Sequence, residues 1–148
     1  MELVHKNRAI IVVTEVEDLK VEWVMLADAV DIVNGKLYVL GGGWESVTAE
    51  ELPLLLSCGI AVAISVPWGE ANHRHQHEIE VRDADGKTAA KIMGYFEVGR
   101  PVGISPGSRQ RVQIGMMLVL QFDCIGTYEV VVRVNDRDLQ TTTFTVLK

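Results

Sequence analysis

The sequence predicts an all-β protein: a two-sheet antiparallel β-sandwich, immunoglobulin-like, with eight or nine strands. Valine, isoleucine, threonine and aromatic residues cluster in short runs separated by glycine, asparagine and aspartate. The two-residue turn signals Asn34-Gly35 and Asp85-Gly86 each separate two such runs, and a third pair of runs closes the chain. Many short strands with turns at short intervals favour two packed sheets.

The length and composition indicate one globular domain. The chain has 148 residues, of which 48% are hydrophobic and 23% are charged, so a single core can form. We predict a β-sandwich domain over residues 21–148, preceded by an N-terminal appendage over residues 1–20. Within that appendage, Ile10–Val13 has the composition of a strand.

The charge and hydropathy patterns exclude several classes of partner. The net charge is −6, and the lysines and arginines are scattered rather than clustered, which argues against nucleic-acid binding. No stretch approaches the roughly 20 apolar residues of a membrane span. Cys58 and Cys124 lie beside apolar sequence and are predicted to be buried free thiols, although a disulfide between them stays open. These features favour a cytoplasmic location.

The first hairpin is predicted around Asn34-Gly35, because both residues tolerate the positive φ angles of a type I′ turn. Its register places Ile32 opposite Leu37 and Val30 opposite Val39. The triple glycine Gly41–Gly43 follows the second strand. It is predicted to form a bulge or tight turn rather than a phosphate loop, because acids and no lysine follow it.

The second hairpin is predicted around Asp85-Gly86, and its register puts Glu80 opposite Lys91, an oppositely charged pair. The remaining pairs of that register are Val81 with Ala90, Ile79 with Ile92, His77 with Gly94, His75 with Phe96 and His73 with Val98. The histidines thus share a face with core-type residues. This pattern predicts a strand that leaves the core and reaches the rim of the sandwich.

Four further segments complete the expected fold. Residues 57–68 are apolar enough for a strand buried on both faces, and residues 111–122 form another long strand. Residues 48–55 are predicted to form a short helical turn that ends at Pro53. In the C-terminal hairpin, Tyr128 follows a glycine as in the tyrosine corner of immunoglobulin-like domains, where the phenol bonds to nearby backbone.

A series of short motifs resembles a bacterial family of unknown function. It comprises "LADA" at Leu26–Ala29, "GKLY" with "GGGW" at Gly35–Trp44, "VPW" with "EAN" at Val66–Asn72, a Phe96–Gly107 segment containing "VGRP", and Gly126 with Tyr128. The resemblance covers roughly residues 21–148. It implies a small β-sandwich and implies no activity.

The three alternating histidines raise the question of a metal site. Neighbours at i and i+2 on a strand point the same way, about 6.6 Å apart, so one pair suits zinc. His73 and His77 are about 13 Å apart on a flat strand, too far to share one ion with His75. The paired strand offers no third ligand. We therefore expect no metal and no cofactor, with His73, His75 and His77 as the candidates if one binds.

No catalytic constellation is visible in the sequence. No nucleophile elbow exists, and neither cysteine has an electropositive flank. The residues with interaction chemistry are Trp44, Trp68, His75 and Arg100, although for the two tryptophans we favour a role in capping the ends of the core. We expect a non-enzymatic protein-interaction or accessory module, with a protein partner or self-association through an edge strand. The alternative is a metal- or small-molecule-binding protein that uses the histidine strand.

Overall fold

The structure, a computed structural model, describes residues 17–148. Nine strands account for the regular structure of this part of the chain, apart from one short 3-10 turn at Trp68–Glu70. The strands are β1 (Lys20–Val33), β2 (Lys36–Gly42), β3 (Ser46–Thr48), β4 (Leu54–Val66), β5 (His75–Arg82), β6 (Thr88–Phe96), β7 (Gln110–Phe122), β8 (Gly126–Val134) and β9 (Arg137–Leu147).

The strands form two sheets that pack face to face. One sheet has the order β2-β1-β4-β7, and the other has the order β3-β9-β8-β5-β6. All neighbouring strands are antiparallel except β3, which pairs with β9 in parallel. The predicted all-β, two-sheet fold of eight or nine strands is confirmed. The parallel strand β3 was not expected, because its three residues are too few to form a recognisable strand pattern.

The core lies between the two sheets. Alternate residues of β4, such as Ile60 and Val62, meet alternate residues of β5 and β8, such as Ile79 and Val130. One end of the core is aromatic, and its three rings are Phe122, Tyr128 and Phe144, with centroids 4.8–5.6 Å apart. The predicted tyrosine-corner bond is present, since the phenol of Tyr128 donates to the carbonyl oxygen of Cys124 at 2.7 Å.

The predicted hairpin registers are confirmed, although the second hairpin closes through a longer loop at residues 83–87 instead of a two-residue turn at Asp85-Gly86. Asn34 and Gly35 have φ angles of 51° and 74°, as a type I′ turn requires. The β1–β2 pairs follow the predicted register, and so do the β5–β6 pairs from His75 to Val81. A shift follows at Arg82, at the loop end of β5. The predicted pairing of His73 with Val98 is absent, because β5 begins only at His75.

The half of the β1–β2 hairpin that contains the turn lies across the outer face of its own sheet. A Cβ atom added to Gly59 of β4 would lie 2.6 Å from Cγ2 of Val30, and one added to Gly115 of β7 would lie 2.5 Å from Cγ1 of Val30. The Val30 N–H also points to Sδ of Met117 at 3.3 Å. This cover explains why Ala61, on the outer face of β4, is fully buried, as predicted for this strand.

The expected helical turn at residues 48–55 is wrong. Residues 50–53 form a bend, and β4 begins at Leu54. The N–H of Ala49 donates to the carbonyl oxygen of Leu147 at 2.7 Å, which continues the β3–β9 pairing instead of starting a helix. The helix propensity of Glu50 and Glu51, ahead of Pro53, is too weak to prevail over this tertiary pairing.

The cysteine prediction is half right. Cys58 and Cys124 are both free thiols, and Cys58 is buried as expected. Cys124 is exposed, because β7 ends at Phe122 and the chain turns there before β8.

An ionic network covers the outer face of the second sheet. The guanidinium of Arg133 donates to Glu78 at 2.7 Å, to Glu80 at 2.9 Å and to Asp138 at 2.6 Å. The Thr88 hydroxyl and Arg133 hold the pKa of the Glu80 carboxyl below its usual value, although burial opposes them. The buried carboxylate of Glu80 is therefore satisfied by polar contacts, while Met93 and Tyr95 of β6 stay exposed on the same face.

Gly59→Ala tests the hairpin cover. The added methyl group collides with Val30, so we expect a loss of about 1–3 kcal/mol in the free energy of unfolding, measured by urea titration. Gly69→Ala is the matched control, because a Cβ there meets nothing within 4 Å, and we expect a change within about 0.5 kcal/mol. Equal effects of the two substitutions would contradict the packing described here.

Candidate functional site

Three of the four predicted binding residues meet at one end of the sandwich, around the short turn Trp68–Glu70. The guanidinium carbon of Arg100 lies 4.2 Å from the ring centroid of Trp68, and Nη2 of Arg100 donates to the Trp68 carbonyl oxygen at 2.6 Å. Nε2 of His75 lies 2.9 Å from the carbonyl oxygen of Glu70. We call Trp68, Glu70, His75 and Arg100 the rim cluster.

His75 is a structural member of the rim cluster. Its side chain is buried, with 2% exposure. Nδ1 of His75 lies 3.0 Å from the amide nitrogen of Asn135. Because an amide nitrogen only donates hydrogen bonds, Nδ1 accepts this one. Nε2 therefore carries the proton and donates to the Glu70 carbonyl oxygen. Oδ1 of Asn135 accepts from the N–H of Gln76 at 3.0 Å. Both ring nitrogens are therefore engaged, and neither has a lone pair to offer a metal.

The other two histidines have different surroundings. His73 is exposed, and its Nδ1 lies 3.4 Å from the carboxylate of Glu70. His77 is buried, stacks on Phe96, and fills the space that a side chain at Gly94 would take. Burial lowers the pKa of His77 below its ordinary value. Within residues 17–148, no three His, Cys, Asp or Glu side chains are grouped closely enough to hold a metal ion.

Trp44 lies at the opposite end of the sandwich, apart from the rim cluster. Its ring packs edge-on against Phe144, with centroids 5.8 Å apart. Trp44 also lines an open cavity of about 490 Å³, with Gly41–Gly43, Asp28 and Ser57. The Asp28 carboxylate lies over the Cα of Gly41, so Gly41 leaves room for it. The structure therefore divides the predicted binding residues between two ends.

An apolar surface lies on the first sheet at the margin of the β1–β2 hairpin, where Met117 still meets the N–H of Val30, and extends beyond it. Met117 and Val119 of β7 are 45% and 67% exposed, and Leu55 on the neighbouring strand is 66% exposed. On the other face of β7, the partly buried side chains are Val112, Ile114, Met116 and Leu118. We call Val112–Phe122 the β7 edge, because in the described part of the chain β7 is paired on one side only, with β4.

Sequence reasoning identified β7 as a strand but missed its position at the edge of a sheet. The sequence signal indicated the opposite, because residues 112–122 contain no charged side chain. A strand of that composition is typical of a sheet interior. Only the strand order shows that one side of β7 lacks a neighbour among residues 17–148.

The fold and these surfaces define a small two-sheet β protein, and a comparison of the sequence identifies its family. A model described as a family of unknown function (DUF6941) matches residues 22–147. The chain belongs to this family, which confirms the resemblance to a family of unknown function. No curated protein matches the chain. Among residues 17–148, no helix is long and apolar enough to cross a membrane.

His77 makes the stability of the fold depend on pH. Its pKa is lowered in the folded protein, whereas the unfolded chain has the ordinary value of 6.5. The unfolded state therefore binds more protons below pH 6.5, and stability falls as the pH drops through 6.5 towards the folded pKa. We expect the loss in unfolding free energy between about pH 7.5 and about pH 5.5 to be smaller for His77→Gln than for the natural protein. Identical losses in urea titrations would contradict this.

Proposed function

We propose that this protein is a non-enzymatic interaction or accessory module that binds another protein chain along the β7 edge. The observation that supports the proposal is the combination of strand position and composition. An edge strand presents unpaired backbone N–H and C=O groups, which are a template for a further strand. Here that template carries exposed Met117 and Val119 beside exposed Leu55.

The absence of the usual edge protection strengthens the proposal. Proteins prevent unwanted pairing at edge strands with charged side chains, prolines or very short strands. The other edge strands described here carry part of this protection: β2 begins with Lys36, β6 contains Lys91, and β3 has three residues. Tyr38 and Leu40 of β2 are nevertheless exposed. Between Arg111 and Asp123 the β7 edge has neither charge nor proline. An apolar edge of this length is favourable where a partner covers it.

The chemistry of the thiols supports a role without catalysis. Burial raises the pKa of the Cys58 thiol to about 11, so it stays protonated and is a poor nucleophile at neutral pH. Arg100 and Trp68 are engaged with each other, so the rim cluster serves mainly to fix the loops at its end. The lysine and arginine distribution favours a protein partner over nucleic acid or membrane.

Two further features belong to this proposal. Two free thiols in a chain of this size favour the reducing cytoplasm. The hydrogen bond from Tyr128 to the backbone of Cys124 favours an immunoglobulin-like arrangement of the sandwich.

Site-specific photo-crosslinking tests the proposal. A photoreactive phenylalanine analogue placed at Val119 in the full-length protein, expressed in its own host, is expected to give covalent adducts of discrete mass with a protein chain. The same analogue at Thr141, exposed on the other sheet, is the control and is expected to give none. If Val119 gives no adduct, or if both positions give the same smear of products, the β7 edge is not a binding surface.

A further inference from the structure

We infer that the chain bound at the β7 edge is a second copy of this protein, paired antiparallel to it through β7 with a twofold axis at Met117. The inference rests on the proposed function, since it names the partner of the same surface. Pairing of the two β7 strands joins two four-stranded sheets into one continuous sheet. Backbone hydrogen bonds then satisfy the free edges of both copies.

The order of residue types along β7 is symmetric about Met117, and this is the observation that carries the inference. In an antiparallel pair centred on Met117, each residue lies opposite the residue at the same distance on the other side of the centre. Arg111 of one copy then lies opposite Asp123 of the other, at both ends of the paired segment. Opposite charges placed across from each other stabilise a strand pair.

The interior positions match as well. Gln113 lies opposite Gln121, so two amides meet just inside the two ion pairs. The apolar pairs between them are Val112 with Phe122, Ile114 with Leu120, Gly115 with Val119, and Met116 with Leu118. In every pair both residues are on the same face of the sheet. The partly buried apolar residues on the inner face of β7 therefore gain apolar neighbours from the partner.

Other registers lose these matches. A twofold axis at Met116 puts Arg111 opposite Gln121, and one at Leu118 puts Gln113 opposite Asp123 and Arg111 opposite Ile125. A register shifted by one residue places inner-face residues of one copy opposite outer-face residues of the other. Only the axis at Met117 pairs both charged ends and both amides.

Arg111 is available for the partner's carboxylate. Its Nε already donates to Glu22 of the same chain, and the guanidinium has further donors in a planar fork. The symmetry also limits the assembly to two copies, because each chain has one β7 edge and both are used in the pair. The twofold pairing therefore covers the apolar edges of both copies without forming an open fibre.

Light scattering during size-exclusion chromatography of the full chain tests the association. We expect a mass of twice 16.4 kDa. Met117→Lys places two like charges against each other at the twofold axis, so we expect the dissociation constant to rise at least ~10-fold. Thr141→Lys, on the exposed face of the other sheet, is expected to leave the mass at that of the dimer. Unfolding in urea checks that both variants fold.

Disulfide trapping tests the register. In a Cys124→Ser background, Gln113→Cys and Gln121→Cys are prepared separately. Each alone is expected to form no disulfide-linked dimer, because the two identical positions are eight residues apart along the paired strands, about 26 Å. When the two variants are mixed and oxidised, a disulfide-linked heterodimer is expected.

Each result decides between the alternatives. A monomer at all accessible concentrations, or a dimer that Met117→Lys does not weaken, overturns the inference. A dimer in which the mixed cysteine variants do not link overturns the register. A monomer that nevertheless crosslinks a different protein through position 119 leaves the proposed function standing and removes the second copy as its partner.

Discussion

The structure depends on one constraint: from Cys58 to Val66, β4 is buried on both faces. The inner face of this stretch packs Ile60 and Val62 into the core between the sheets. Its outer face has only small residues, such as Gly59 and Ala61. Small residues bury little apolar area themselves. They instead let the β1–β2 hairpin approach closely, with Val30 against the backbone of Gly59. The long hairpin and the small residues beneath it therefore depend on each other for their packing.

The extent of this cover determines which apolar surface is left. Val30 reaches Gly115 of β7, but Val119 and Leu55, nearer the end of that sheet, lie beyond the hairpin and remain exposed. The same sheet thus has a shielded half and an open half. The second sheet carries the Arg133 network together with exposed Met93 and Tyr95 on β6. The open half of the first sheet differs from it in having an edge strand without charge over residues 112–122.

The predictable part of the fold is the part set by local chemistry. Asn34-Gly35 fixes a hairpin register because positive φ at two consecutive positions admits one turn type. Long-range contacts carry no such signal. The partner of His75 is Asn135, 60 residues away, and nothing in the sequence of either residue indicates the other. For the same reason the strand order, the parallel pairing of β3 and the exposure of Cys124 required the structure.

The candidate site shows that residue type alone does not reveal which partners a side chain already has within the fold. Tryptophan, arginine and histidine are the side chains most often found at binding hot spots, but here Arg100 stacks on Trp68 and His75 bonds to Glu70 and Asn135. Their binding capacity is used within the chain. Aliphatic β7 looks like core sequence, yet its backbone groups lack a neighbour on one side among residues 17–148. The proposal therefore rests on unpaired backbone groups, which are a template for a further strand, rather than on polar side chains that are already satisfied.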